Sequence, residues 1–333
     1  ERAAAARPDE VLESILTFAG QSVNLRVVGR DLSRDIIRPI AHLKRDETQS
    51  HSRSLTIDLW DEHATGVDLQ ERIEQTESIP LEFRARSPAA RFSLNHHQSS
   101  TLCLDRDRQR LVGCCQRVDA LSLYERGRPL HVPLTLWHND LDIPVVHAGL
   151  VARDGIGLLF AGPAGSGKST AAVTCLLGGF RFLSDDLIGL EETVDGSFRG
   201  HSLYNSTYFE RSHLQRFPIL APHAIKSRHS DEDKLLVLLH DVFPSRIECS
   251  AGIHAIVLPE VGDGARSTFR QESRAKALLA LGPPSLGINR SFGSGEFEKL
   301  ARLTESVPSY RLRLGSDLGG IAPAVEELIE EIG

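Results

Sequence analysis

The chain has 333 residues, of which 41% are hydrophobic, 25% charged and 6% aromatic, a composition near the globular average that excludes an intrinsically disordered or collagen-like protein. Its 38 basic and 45 acidic side chains give a formal net charge of −7, so the basic surface that grips nucleic acid or an anionic membrane is not expected, and neither is taken as a partner. No stretch approaches the roughly 20 apolar residues of a bilayer span, and the opening segment lacks the basic-then-apolar run of a signal peptide. Five cysteines without CxxC or paired zinc spacing fit reduced thiols in a cytoplasmic protein.

The length allows one large domain or two of ordinary size. In chain order, Pro8–Ala19 reads as a short amphipathic helix from the spacing of Val11, Leu12, Ile15, Leu16 and Phe18. Val23–Val28 and Ser54–Trp60 alternate like strands, and between them Ile36, Ile37, Ile40 and Leu43 suggest a helix broken or kinked at Pro39. Residues 61–80 are polar and weakly patterned, and read as a loop. Arg91–Leu94, Ser100–Leu104 and Gln109–Cys115 read as short strands around the turn-like residues 105–108. Residues 1–140 are therefore expected to form a small α+β module that recognises an acceptor or mediates assembly.

From Pro144 the pattern changes. Pro144–Val151 and Gly155–Ala161 are apolar, buried-type strands. The second leads through a glycine-rich turn into a helix over Ser169–Leu177. Phe180–Leu183, Leu187–Leu190 and, after a long polar stretch, His254–Leu258 are further strands. Helices are expected near Ser273–Leu281, Glu296–Ser306 and Gly320–Ile332. Strands alternating with helices make 141–333 an α/β domain.

Residues 162–169 read Gly-Pro-Ala-Gly-Ser-Gly-Lys-Ser, a full GxxxxGK[ST] phosphate loop in its required strand–loop–helix setting. Gly162, Gly165 and Gly167 let the backbone around Ser166 aim its N–H groups at phosphate oxygens, and the helix N-terminus adds partial positive charge. Lys168 would reach the β- and γ-phosphates, and Ser169 would ligate Mg²⁺. Directly after the apolar Phe180–Leu183 stand Asp185 and Asp186. Two carboxylates beside a phosphate loop can divide two tasks, one holding Mg²⁺ and the other accepting the proton of an attacking hydroxyl. His147 lies inside an apolar strand expected to neighbour the one feeding the loop.

These three segments, with Gly179-Phe-Arg-Phe-Leu-Ser before the acid pair, resemble the catalytic domain of HPr kinase/phosphorylase, a family that shows a His-Gly strand, a phosphate loop and a Gly-His-x-Leu-x-Ala-Asp-Asp segment in this order. The resemblance covers roughly residues 144–192. It implies a nucleotide-binding α/β fold of the type shared with phosphoenolpyruvate carboxykinases, with Asp185 as base, His147 tuning it, and Asp186, Ser169 and Thr170 around the metal. Thr170 departs from the family, which has an acidic residue there. The family's downstream glycine-rich signature is not recognisable in residues 193–250, so kinase chemistry is carried over and phosphorolysis is not. A homo-oligomer is also implied.

The expectation is an ATP- and Mg²⁺-dependent kinase that transfers the γ-phosphoryl group to a hydroxyl, foremost a serine of a peptide or protein. A kinase of a small hydroxylated metabolite and a nucleotide-dependent regulatory module stay open as alternatives. Lys226, Arg228 and Lys234, in the polar connection after the acid pair, are candidates for phosphate or acceptor contacts. His96-His97 has no partner at metal spacing and reads as surface. Cys114-Cys115 reads as core filler, with Trp60 and Trp137 as packing anchors.

Overall fold

The computed structural model describes residues 1–45, 54–68, 91–96, 99–227, 233–288 and 293–332. Its first hairpin corrects the sequence reading. β1 (Val11–Phe18) pairs antiparallel with β2 (Gln21–Val28) from Val11 opposite Val28 to Phe18 opposite Gln21, so the helix expected over Pro8–Ala19 is a strand. Ser14, Leu16 and Phe18 are buried in alternation with the more exposed Glu13, Ile15 and Thr17, a period of two that a short apolar run cannot distinguish from helical spacing. Ala19 and Gly20 adopt positive φ values of 47° and 74°, the conformation of the two-residue hairpin loops that twisted strands favour.

β3 (Ser54–Asp61), β4 (Phe92–His96), β5 (Ser100–Asp105) and β6 (Arg110–Cys115) extend this hairpin into a sheet of order β1-β2-β3-β6-β5-β4. Its two parallel pairings are β2 with β3 and β3 with β6. The helix Arg30–Ile37 gives way to a 3₁₀ segment over Arg38–Leu43, the break expected at Pro39, which lacks an N–H for the helical ladder. The loop expected over 61–80 contains a one-turn helix, Glu62–Thr65, capped by Asp61; residues 69–80 lie outside the described residues. A helix over His131–Asp140 is an addition to the sequence reading.

By packing, the chain divides into two compact units, Glu1–Trp137 with Phe209–Leu238, and His138–Tyr208 with Leu239–Gly333. Residues Phe209–Leu238 thus cluster with the N-terminal unit and not with the remainder of 141–333. In the second unit β7 (Val145–His147), β8 (Gly149–Arg153), β9 (Ile156–Phe160), β10 (Arg181–Ser184), β11 (Leu187–Glu192) and β12 (Phe198–Ser202) precede β13 (Ser206–Glu210), along which the chain leaves. β14 (Lys234–Leu238) belongs to the first unit, and β15 (Ser250–Val261), β16 (Thr268–Gln271) and β17 (Ser309–Leu314) follow. The sheet order is β10-β8-β9-β15-β12-β11-β7, with β17 on β15 and β16 on β17.

β15 organises this sheet. Its first residues pair antiparallel with β12, while Ile256 and Val257 pair parallel with both β9 and β17. Leu150, Leu159, Ile256 and Leu258 pack with Ala277, Leu281, Leu300 and Leu303 of the helices Arg274–Ile288 and Ser294–Ser306. Leu158, Phe160 and Val257, alternate residues of the same strands, are also fully buried. A sheet covered on both faces reads as continuous apolar runs, which is why β8 and β9 are legible in the sequence. The molecule is therefore mixed α/β, with parallel and antiparallel pairing in both large sheets.

Candidate functional site

The site begins where β9 ends. Phe160 is fully buried, the N–H of Ala161 donates to Val257 O at 2.9 Å, and the chain then turns through 162–167 into the helix Lys168–Leu177. Gly162, Gly165 and Gly167 have φ values of 153°, 79° and 102°. At Gly167 the close approach is also steric, because a Cβ would fall 2.4 Å from Leu314 Cδ1, so any side chain there would strain the turn and strike β17.

Lys168 is only 6% exposed. Its ammonium turns back on the loop, donating to Gly162 O at 2.7 Å and Pro163 O at 3.1 Å. Burial pulls its pKa below the ordinary lysine value, against the opposing pull of Asp186 and Asp185. Ser166 Oγ is buried with no hydrogen-bond partner. Ser169 and Thr170, in the first helical turn, are partly exposed.

Asp185 and Asp186 form the turn from β10 to β11. Ser184 Oγ fixes that turn by accepting from the N–H groups of Asp186 at 3.1 Å and Leu187 at 3.0 Å. Asp185 is 3% exposed, and its Oδ2 accepts a hydrogen bond from Thr207 Oγ1 at 2.6 Å. Asp186 is more open, with its side chain 22% exposed, and its Oδ1 lies 2.5 Å from His147 Nε2. The backbone N–H of His147 donates to Ser285 Oγ at 3.0 Å, while His147 Nδ1 is buried without a hydrogen-bond partner.

The strand expected over Pro144–Val151 is two strands: β8 pairs with β9, which feeds the loop, as expected, while β7, which carries His147, pairs with β11 and places His147 opposite Leu187. The imidazole consequently bonds Asp186, the neighbour of the carboxylate that the family resemblance has it tune. The physical reason is the one-residue break at Ala148, after which the chain enters β8 on a different sheet neighbour.

Sequence reasoning missed the side chains that support the pair, namely Ser184, Ser202, Thr207 and Ser285. Ser202 Oγ donates to Leu183 O at 2.6 Å. Ser202, Asn205, Ser206 and Thr207 are all buried, and the stretch read as a polar connection holds β12, β13 and β14. The available signal was the uncharged run Tyr204-Asn-Ser-Thr-Tyr-Phe209, since polar residues without charge between aromatics suit a buried, hydrogen-bonded segment.

Other candidates fall away from this cluster. Lys226 and Lys234 are exposed and belong to the first unit; Arg228, His97 and the side chain of His96 lie outside the described residues. Cys114 and Cys115 are buried, and burial pushes the Cys115 thiol up to about 12. Trp60 and Trp137 are buried, with indole N–H groups donating to Val67 O and Gln109 Oε1. Among the described residues no group of three or more His, Cys, Asp and Glu side chains is arranged to hold a metal, and no helix is long and apolar enough to cross a membrane.

No protein-family model matches the chain, and no curated protein matches it. Among solved structures it is similar to the HPr(Ser) kinase/phosphatase from Coxiella burnetii, with 13% identity and a TM-score of 0.30, over 56% of this chain and 94% of that one. A likeness at that TM-score lends no weight to a function, which must be argued from the residues.

Proposed function

We propose that the chain is an ATP- and Mg²⁺-dependent kinase that transfers the γ-phosphoryl group to a hydroxyl, with a serine of a peptide or protein as the acceptor class. The observation that carries this reading is the buried ammonium of Lys168. It sits in a glycine loop of positive φ, within electrostatic reach of Asp185 and Asp186, and bonds two carbonyls of its own loop. A structural lysine would be expected to neutralise a carboxylate. An ammonium resting on backbone oxygens, beside the unpartnered Ser166 hydroxyl, is a set of donors that phosphate oxygens can take over.

The residues fit a nucleotide with its metal. Loop N–H groups, the helix N-terminus and Lys168 would hold the phosphates. Ser169 and Asp185 would hold Mg²⁺ together with phosphate oxygens, a donor set that suits an ion taking one or two carboxylates and keeping its waters. Bound there, Mg²⁺ would neutralise charge on the phosphates. A base must come within hydrogen-bond reach of the acceptor hydroxyl, and of the two carboxylates Asp186 is the more open and carries the imidazole. Asp186 therefore takes the hydroxyl proton as the acceptor oxygen bonds to the γ-phosphorus and the bond to the leaving ADP breaks. This exchanges the roles that the family resemblance implies for Asp185 and Asp186.

The test is transfer of label from γ-labelled ATP with Mg²⁺ into peptide, protein and small-molecule fractions of an extract of the source organism, with Lys168→Ala as control. Label in a peptide or protein is expected. Label confined to small molecules would make the protein a metabolite kinase, and none above the control, with ATP still bound, would favour the regulatory module. Lys168→Ala should abolish the ATP-induced stabilisation, about 2.7 kcal/mol at 100 times the dissociation constant. Unchanged nucleotide binding by that variant would overturn the phosphate-loop reading.

A further inference from the structure

We infer that Thr207 is a positioning residue for Asp185, fixing the direction in which that carboxylate addresses the metal-bound nucleotide. The inference rests on the proposed nucleotide site and deepens it. Thr207 is fully buried, and its hydroxyl donates to Asp185 Oδ2 at 2.6 Å.

The hydroxyls of Ser184, Ser202 and Thr207 divide the work around the acid pair. Ser202 Oγ holds the carbonyl of Leu183, and Ser184 Oγ holds the N–H groups of Asp186 and Leu187. Both act on the backbone and set where the turn lies. Thr207 bonds the carboxylate itself, and with Oδ2 held the direction of Oδ1 is held too. At 3% exposure bulk water can do little of this. Residues that orient a metal ligand without touching the ion commonly change metal affinity about ten- to hundredfold when replaced.

A merely structural role would be to satisfy a buried carboxylate, and a binding measurement separates the two. Mn²⁺ affinity is measured by electron paramagnetic resonance in the presence of ADP, and ADP affinity separately in chelator, for the native protein, Thr207→Val and Thr207→Ser. Valine keeps the shape and strand preference of threonine while removing the donor. Thr207→Val should bind Mn²⁺ about tenfold or more weakly, with metal-free ADP affinity changed less than about twofold, and Thr207→Ser should recover to within about threefold of native. Should Thr207→Val not fold, Thr207→Cys, with its weak S–H donor, is read in its place and should show an intermediate loss.

Native Mn²⁺ affinity in Thr207→Val, or equal impairment of the serine and valine variants, would overturn the positioning role while leaving the nucleotide site standing. Failure of the native protein to bind ADP with or without metal would instead overturn the proposed function, and this inference with it.

Discussion

On the N-terminal sheet Asp58 lies between two guanidinium groups. Arg26 Nε reaches its Oδ1 at 2.7 Å, and Arg110 Nη2 and Nε reach its Oδ2 at 2.7 and 3.1 Å. In the second unit Asp185 and Asp186 instead lie in the field of Lys168, which donates to backbone carbonyls, while Thr207 bonds one carboxylate and His147 the other. Both places put carboxylates and cations together under partial burial. In the first, each carboxylate oxygen is matched by an arginine, so charge is neutralised within the protein and little is left to offer a ligand. In the second the cation rests on neutral groups that an anion can replace. Satisfied charge marks structure here, and a cation held in reserve marks the proposed site.

The comparison breaks most readily on turnover. Asp186→Asn should leave the fold and the ATP-induced stabilisation intact while lowering phosphoryl transfer by about 10²–10⁴-fold, the usual contribution of a general base. Single-turnover kinetics beside Asp185→Asn would check it. Native turnover in Asp186→Asn, with the loss in Asp185→Asn, would return the base role to Asp185.

The closed network should respond in stability and not in turnover. Asp58→Ala should destabilise the protein by about 1–3 kcal/mol, less than for a fully buried pair because the Arg26 and Arg110 side chains are 33% and 51% exposed, and should leave nucleotide binding alone. Urea titrations with and without ATP would show both. Burial raises the Asp58 carboxyl, but hydrogen bonds from Arg110 and Arg26 hold it below the ordinary 3.8. Its contribution is thus complete above that value and lost as pH falls through the depressed one. As pH falls below the ordinary 3.8, Asp58→Asn should lose less stability than the native protein. An identical acid limb would show that the arginines contribute nothing net.

The smallest effect concerns the thiols. With Cys115 pushed up to about 12 by burial, and Cys114 and Cys175 also buried, native protein at pH 8 should be alkylated first at Cys249. Cys103, whose pKa burial also raises, should follow, and the other three should react only on unfolding. Early modification of Cys115, read by mass spectrometry, would mean that the first unit opens more easily than its packing implies.

Much of the candidate site was legible because its constraints are local. A glycine loop between an apolar strand and a helix is written in eight consecutive residues, and so is the acid pair that ends β10. The partners were not legible, because they depend on strand order. His147 meets Asp186 only because β7 returns to β11, and Thr207 meets Asp185 across 22 positions. The hairpin at Val11–Val28 was misread because its apolar spacing suits two periods and Ala19-Gly20 is a weak turn signal beside Asn-Gly. β12 and β13 were missed because their polar residues were equated with solvent, whereas Ser202, Asn205 and Thr207 are buried polar supports.

The excursion of Phe209–Leu238 also bears on synthesis. The first unit includes residues up to Leu238, so its last segment emerges from the ribosome roughly a hundred residues after Trp137, a delay on the order of 5–20 s at usual elongation rates. During that interval the nascent N-terminal unit lacks β14, while the residues emerging from His138 to Tyr208 belong to the other unit. The first unit therefore has all of its residues only after the first segment of the other has emerged, and the second unit gains its last segment after that.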